Sequence, residues 1–190
     1  MGIWPLRRRS VILLRMSNRP QLSAFIATSL DGYIARNDGG IDWLRVVEQP
    51  GEDYGYQAFM SSIDTLVMGR KTYDTALGFG AWPYSDKRCI VLTHRPAPAT
   101  NGEEFFNGQP EQLAEKLAAE GARRVYIDGG EVIRQFLAAR LLDDLTLSVV
   151  PILLGTGISL FGVGVPEQRL TLIQGRTLQI GLVQLQYRVS

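Results

Sequence analysis

Three strand ends in this 190-residue chain carry residues able to hold an anion. In DTLVMGRKTYDTAL, Asp64 to Leu77, an apolar run reaches Gly69, and Arg70, Lys71 and Thr72 open the next helix. Cations at a helix N-terminus oppose the macrodipole, whose positive end already lies there. An anion resolves the conflict, because helix amides, a glycine allowing close approach and two cations together suit a phosphate. The plainer alternative is that Arg70 and Lys71 point into water, which screens the penalty. In RRVYIDGGEVIRQFL, Arg123 to Leu137, Gly129 and Gly130 stand between strand and helix. Such a pair brings backbone against a ligand, or simply permits a turn with Glu131 well placed in the first helical turn. In CIVLTHRP, Cys89 to Pro96, a strand ends on Thr93, His94 and Arg95, and Pro96 stops its continuation. His94 is the only histidine and Cys89 the only cysteine, so no zinc site can be built, and no metal is expected. Beside Arg95, His94 fits a hydrogen-bonding flank for a phosphate.

The elements that must position these residues alternate between strand and helix. Leu22–Ser29 reads as a strand, 53–62 as a helix, 64–68 as a short buried strand and Arg70–Leu77 as a helix. A strand over 88–93, a helix over 110–120 stopped by Gly121, a strand over 124–127 and a helix over 131–142 follow. The run 145–154 is a longer strand bent or edged at Pro151, and LTLIQGRTLQIGLVQLQYRV alternates like an antiparallel pair. The sum is an α/β fold, a mostly parallel sheet with antiparallel C-terminal strands. In such sheets ligands bind along the rim of the strand ends, so a nucleotide with several phosphates would engage all three glycine-rich or basic ends together.

Composition narrows the partners. Twenty basic against 19 acidic residues give a net charge of +1, so no global field draws the chain to nucleic acid or membrane. The lone cysteine in an apolar run fits a reducing compartment, the cytoplasm by default. Residues 1–20 hold four arginines in the first fifteen positions and too short an apolar run for a span or a signal sequence. They read as a flexible basic extension, with residues 21–190 as one domain. GTGISLFG, Gly155 to Gly162, lacks the third glycine of the dinucleotide fingerprint, and MGRKT lacks the glycine that precedes the P-loop lysine.

One stretch asks for more than packing. FIATSLDGYIARNDGGIDWL, Phe25 to Leu44, leaves its strand through a long loop and ends on Trp43. Together with DTLVMGRKTY, VYIDGGEVI and PILLGTGISLF, in that order and spacing, it resembles the dihydrofolate reductase-like superfamily, in the branch of the riboflavin-biosynthesis reductase domain. The likeness covers about residues 21–188.

The resemblance implies an eight-stranded mixed sheet flanked by helices, an NADPH-dependent reductase acting on a small pterin- or pyrimidine-like molecule, and a homodimer. It places Ala27 and Ile34 at the nicotinamide and Gly69, Arg70, Lys71 and Thr72 on phosphates. Leu92, Thr93, His94 and Arg95 would flank the adenosine and its 2′-phosphate. Asp128, Gly129, Gly130, Glu131, Val132 and Ile133 would approach the pyrophosphate, with a cis peptide joining the two glycines. The loop 31–43 becomes a mobile flap, with Trp43 in the substrate-side wall or, as the alternative, in the core. Asp53, sixteen residues before Gly69, would orient or protonate the substrate with a pKa raised in an apolar cleft, beside Gln57; a helix cap is its other reading. Asp31, in Ser-Leu-Asp-Gly, is a second candidate acid. The ten-position step from Trp43 to Asp53 exceeds the spacing of true dihydrofolate reductases. Authentic folate reduction and a non-catalytic NADPH-binding protein therefore stand as alternatives.

Overall fold

A computed structural model describes residues 19–162 and 164–190; residues 1–18 of the expected extension lie outside the described residues. Eight strands form one sheet in the order β5-β4-β3-β6-β1-β7-β10-β9. They are β1 (Gln21–Ser29), β3 (Thr65–Gly69), β4 (Arg88–Leu92), β5 (Glu104–Phe106), β6 (Arg124–Asp128), β7 (Asp144–Val150), β9 (Leu170–Thr177) and β10 (Val183–Val189). The pairs from β5 to β7 are parallel, and β10 runs antiparallel to both β7 and β9. The expected mixed sheet with antiparallel C-terminal strands is therefore the one observed.

The central strands are apolar on both faces because helices cover both. Along β3, Val67 points into one core with Ile90, Ile127, Ile133 and Phe136, while Leu66 and Met68 point into the other with Phe59, Tyr73, Val91 and Tyr126. Two-residue periodicity on a doubly covered sheet leaves no polar face, which is why these strands read as continuous apolar runs. Helices α3 (Pro110–Ala119) and α4 (Gly130–Ala138) cover the first face, and α1 (Tyr56–Ser61) and α2 (Arg70–Leu77) the second.

Several expected boundaries shift for local reasons. Helix α1 starts at Tyr56 rather than Asp53, because Tyr54 (φ 55) and Gly55 (φ 85) take left-handed backbone. Helix α4 ends at Ala138, and Arg140 at φ 54 closes it while the amide of Leu141 returns to the Phe136 carbonyl. Strand β7 stops at Val150, since Pro151 has no N–H for the ladder.

The segment 31–43 is not one long irregular loop. It contains β2 (Tyr33–Ala35), paired antiparallel with β8 (Ile158–Ser159), and leads into a 3₁₀ helix, Asp42–Val47. Gly157 makes the pairing possible, because a Cβ there would lie 2.3 Å from the carbonyl oxygen of Ala35.

Candidate functional site

Strands β1, β3, β4 and β6 are parallel, so their C-terminal ends share one rim. Helices α2 and α4 both start there, each from a glycine, Gly69 and Gly129, and neither has a side-chain cap. Their N-termini lie side by side. A Cβ on Gly129 would come 2.3 Å from the Oγ1 of Thr72, and one on Gly69 would come 3.1 Å from Val132 Cγ2. A Cβ on Gly130 would come 2.4 Å from Ile34 Cδ1, so the β2 segment rests on this turn. The glycine pair thus admits two side chains of the protein itself, and it brings Ile34, Gly69, Thr72, Gly129 and Gly130 together. The 129–130 peptide is trans, a correction to the expected cis bond; Gly129 makes the turn at φ 87 and ψ 137, backbone that favours glycine.

Uncapped helix starts leave amide donors without intrahelical partners. Helix α3, which starts at the same rim after β5, satisfies its own through a box in which Gln109 and Gln112 cap each other's backbone. The third strand end joins the other two through Arg70, whose Nη1 donates to the Arg95 carbonyl at 3.0 Å. Its Nε also meets Asp74 at 2.8 Å, so this cation is partly neutralised on its own helix. Lys71 is exposed with no ion pair among the described residues. Thr93 Oγ1 accepts from the Arg95 amide, and exposed His94 sits 2.6 Å from Asn107 through Nδ1. Glu131 turns along α4 to Arg134 and Gln135, and the side chains of Val132 and Ile133 are core. Leu92 is half-buried against the α3–α4 core, and Ala27 against the Trp43 cluster.

The rim's carboxylates divide sharply. Asp31 accepts from Ser29 Oγ at 2.6 Å, Leu154 N at 3.1 Å and Gly155 N at 2.7 Å. The Ser29 bond, with the two amides, holds its pKa below the ordinary value. Asp53 precedes α1 and accepts from the amides of Gln57 at 2.7 Å and Gly55 at 3.0 Å, which lower its pKa. This reverses the raised value expected for Asp53: backbone donors stabilise its ionised form, as at a helix cap. The Gln57 side chain is exposed.

Asp128 is the opposite case. Its Oδ1 takes a bond from Gly129 N at 2.8 Å and lies 3.0 Å from the Tyr126 hydroxyl, whose single hydrogen is shared with the Phe25 carbonyl oxygen at 2.9 Å. Oδ2 has no partner among the described residues. Burial raises the Asp128 pKa in spite of those two bonds. Tyr56 and Tyr84 face the same carboxyl; burial, then the Asp128 charge, pushes Tyr56 up to about 12 and raises Tyr84 as well. Phe25, Tyr56, Phe59 and Tyr126 interlock as a wall of rings, with centroids 5.0–6.5 Å apart. Trp82 stacks edge-on between Tyr73 and Tyr84.

Sequence reasoning missed the three tyrosines as site residues. The signal was Tyr126-x-Asp128 on one strand, two positions apart and so on one face. Trp43 is 3% exposed in a cluster with Val47, Val150 and Leu182, the core alternative of its two readings, and its Nε1–H has no partner among the described residues.

The sequence pattern of the RibD C-terminal domain family matches residues 20–183. The chain belongs to that family. Among its relatives is the uncharacterized protein YwjB of Bacillus subtilis (strain 168), 38% identical over 167 residues, 86% of this chain and 94% of that one. A solved structure from Shewanella sp. PV-4, provisionally named for riboflavin biosynthesis, is also 38% identical, covering 90% of this chain and 99% of its own at a TM-score of 0.84. Dihydrofolate reductase from Enterococcus faecalis, complexed with NADP(H), shares the fold at 18% identity and a TM-score of 0.65 over 90% of this chain and 96% of its own. Family and fold are thus those that the residues 21–188 resemble. No helix among the described residues is long and apolar enough to cross a membrane.

Proposed function

We propose that this chain is a cytoplasmic NADPH-dependent reductase that transfers hydride to a C=N or C=O bond of a small, pterin- or pyrimidine-like substrate. One observation carries the reading: two uncapped, glycine-started helix N-termini meet beside a half-buried carboxyl, one oxygen of which has no partner among the described residues.

The residues present fit the coenzyme. Phosphate oxygens answer the free amides of α2 and α4, and Lys71 with Arg70 and Arg95 supplies positive charge that favours a 2′-phosphorylated dinucleotide. NADPH supplies a hydride when bound. The protein's part is to hold, enclose and protonate. Ile34, resting on Gly130, closes the β2 segment over the rim and excludes water, which strengthens every local field. Gly129 N–H holds Oδ1 of Asp128, with the Tyr126 hydroxyl shared between that oxygen and the Phe25 carbonyl, which leaves Oδ2 to carry the proton that the reduced nitrogen or oxygen must gain. Its raised pKa keeps that proton in place closer to neutral pH. Asp31 and Asp53, whose oxygens are engaged by backbone, act as struts, so the acid role expected of them passes to Asp128. The ring wall of Phe25, Tyr56 and Tyr126 suits a flat heterocycle.

Calorimetry with NADPH and NADH, followed by NADPH oxidation across a panel of pterins and pyrimidines, tests this. Expected are tighter binding of NADPH and turnover of at least one ring class; absence of NADPH heat at millimolar coenzyme defeats the proposal. Tight binding without turnover would favour a non-catalytic NADPH-binding protein, and dihydrofolate turnover would favour authentic folate reduction. We further assign the exposed edge strand β9, with Leu170, Leu172 and Ile173 uncovered, as the face through which two copies pair.

A further inference from the structure

A second cavity lies between α1 and the polar face of β7, β10 and β9, away from the glycine-started helices. It encloses about 240 Å³, smaller than the roughly 300–1,000 Å³ typical of sites for drug-sized ligands. Phe25 and Phe59 line it on the α1 side, and Arg124 and Arg176 supply its cations.

Arg176 is held as a preformed anion receptor. Gln184, 4% exposed, accepts from its Nε at 2.9 Å and also from its Nη2, while the Gln184 amide donates to the Tyr54 carbonyl at 3.1 Å and to Ser148 Oγ at 3.0 Å. Nη2 also reaches the Tyr54 carbonyl at 3.3 Å. Gly55 makes room, since a Cβ there would lie 3.0 Å from Nη2. A buried amide therefore fixes one edge of the guanidinium. Yet Arg176 has no carboxylate partner among the described residues, and its Nη1 makes no hydrogen bond there. Arg124 lies over the Phe59 ring at 5.6 Å and donates to Ser62 Oγ at 2.9 Å. Asp144 pairs with its guanidinium at 3.7 Å from Nη2 and is shared with Ser23 and Gln21, while Asp64 accepts from the Arg124 backbone amide at 3.0 Å. Arg176 is itself exposed, and its guanidinium, held on one edge and without a carboxylate, pairs charge recognition with the flat apolar surface of the rings that line the same cavity.

We propose that this cavity binds a small organic anion, a phosphate or carboxylate borne on a flat apolar body, with Arg176 and Arg124 gripping the charge and Phe25 and Phe59 covering the ring. The cavity adjoins the reductase site through Phe25, which belongs to both, while its two arginines lie apart from the glycine-started helices and do not depend on coenzyme binding there.

Titration of the intact protein with phenyl phosphate, followed through its arginine Nε–H and glutamine side-chain NMR signals, tests this. Saturable shifts at Arg176, Arg124 and Gln184 are expected, with a Kd of about 1 mM. Inorganic phosphate, lacking the ring, should bind more weakly, and neutral benzyl alcohol should leave the arginine signals in place. Arg176→Gln should weaken phenyl phosphate at least about tenfold while leaving NADPH affinity unchanged. Arg176→Lys, which keeps the charge but loses the two-point hold of Gln184, should fall between. Equal binding by the wild type and both variants overturns the proposal, as do shifts confined to residues 69–72 and 129–133. Neither result bears on whether NADPH binds at the rim.

Discussion

Two regions of one sheet rim treat polar atoms in opposite ways. Around Asp31 and Asp53 every contact is closed, with hydroxyl and amide donors on carboxylates that stay ionised. Around Gly69, Gly129 and Asp128, two helix starts lack side-chain caps and a carboxylate oxygen lacks a partner among the described residues. Helix α3, which starts on the same rim, shows that this chain can cap a helix with its own side chains. The lesson is that satisfied polar atoms fix shape, and unsatisfied ones mark where a ligand is needed to complete the bonding.

Substitutions can break that contrast, and the largest effect is expected at Asp128. Asp128→Asn should lower turnover about 100-fold or more, with NADPH affinity and thermal stability preserved, in steady-state and calorimetric assays. Equal losses in binding and turnover would place Asp128 with the structural carboxylates. Arg70→Ala combined with Lys71→Ala should weaken NADPH about 10- to 100-fold and NADH far less, measured by titration of each coenzyme. Gly130→Ala should destabilise by about 1–3 kcal/mol through the clash with Ile34, and Ile34→Ala in the same chain should restore most of it in chemical denaturation. Asp31→Ala should lower the unfolding midpoint through the amides of Leu154 and Gly155 while sparing coenzyme affinity, and Asp53→Asn should do so more mildly.

The pH dependence separates the same two regions. Asp31 and Asp53 have lowered pKa values, so their stabilisation is complete above the ordinary carboxylate pKa of 3.8 and is lost as pH falls through their folded values. Asp128 has a raised value, so the folded state binds the extra proton. Its cost to stability grows as pH rises from 3.8 to its folded pKa and is constant beyond. Turnover should fall on the basic side of that folded value, and Asp128→Asn should flatten this limb in a pH–rate profile.

Much of the fold was legible because the strands at the centre have both faces buried. Arg70–Leu77 agrees at both ends, since glycine marks its start and Gly78 follows its end. The glycine pair and the Arg70–Thr72 cluster were legible as strand ends, and the structure brings them together. Illegible were features made by distant partners. The β2–β8 pair joins three residues to two across more than a hundred positions, too short for any periodicity. Asp53 stood between two readings because a carboxylate before a helix has the same sequence signature whether it faces a ligand or the first amides; the hydrogen bonds from Gly55 and Gln57 are those of the cap reading. Tyr84 lay in a stretch without a regular pattern, and its place beside Asp128 depends on the return from α2 to β4.

The first strand of the chain lies near the middle of the sheet, and both its neighbours arrive about a hundred residues later, Gln21 beside Arg124 and Ser23 beside Asp144. A ribosome making this protein therefore presents β1 unpaired for on the order of ten seconds before either flank emerges. During that interval the apolar segment Leu22–Ala27 is a ready target for a chaperone, so the yield of active protein in cells should depend on translation speed and chaperone supply more than on the stability of the finished sheet.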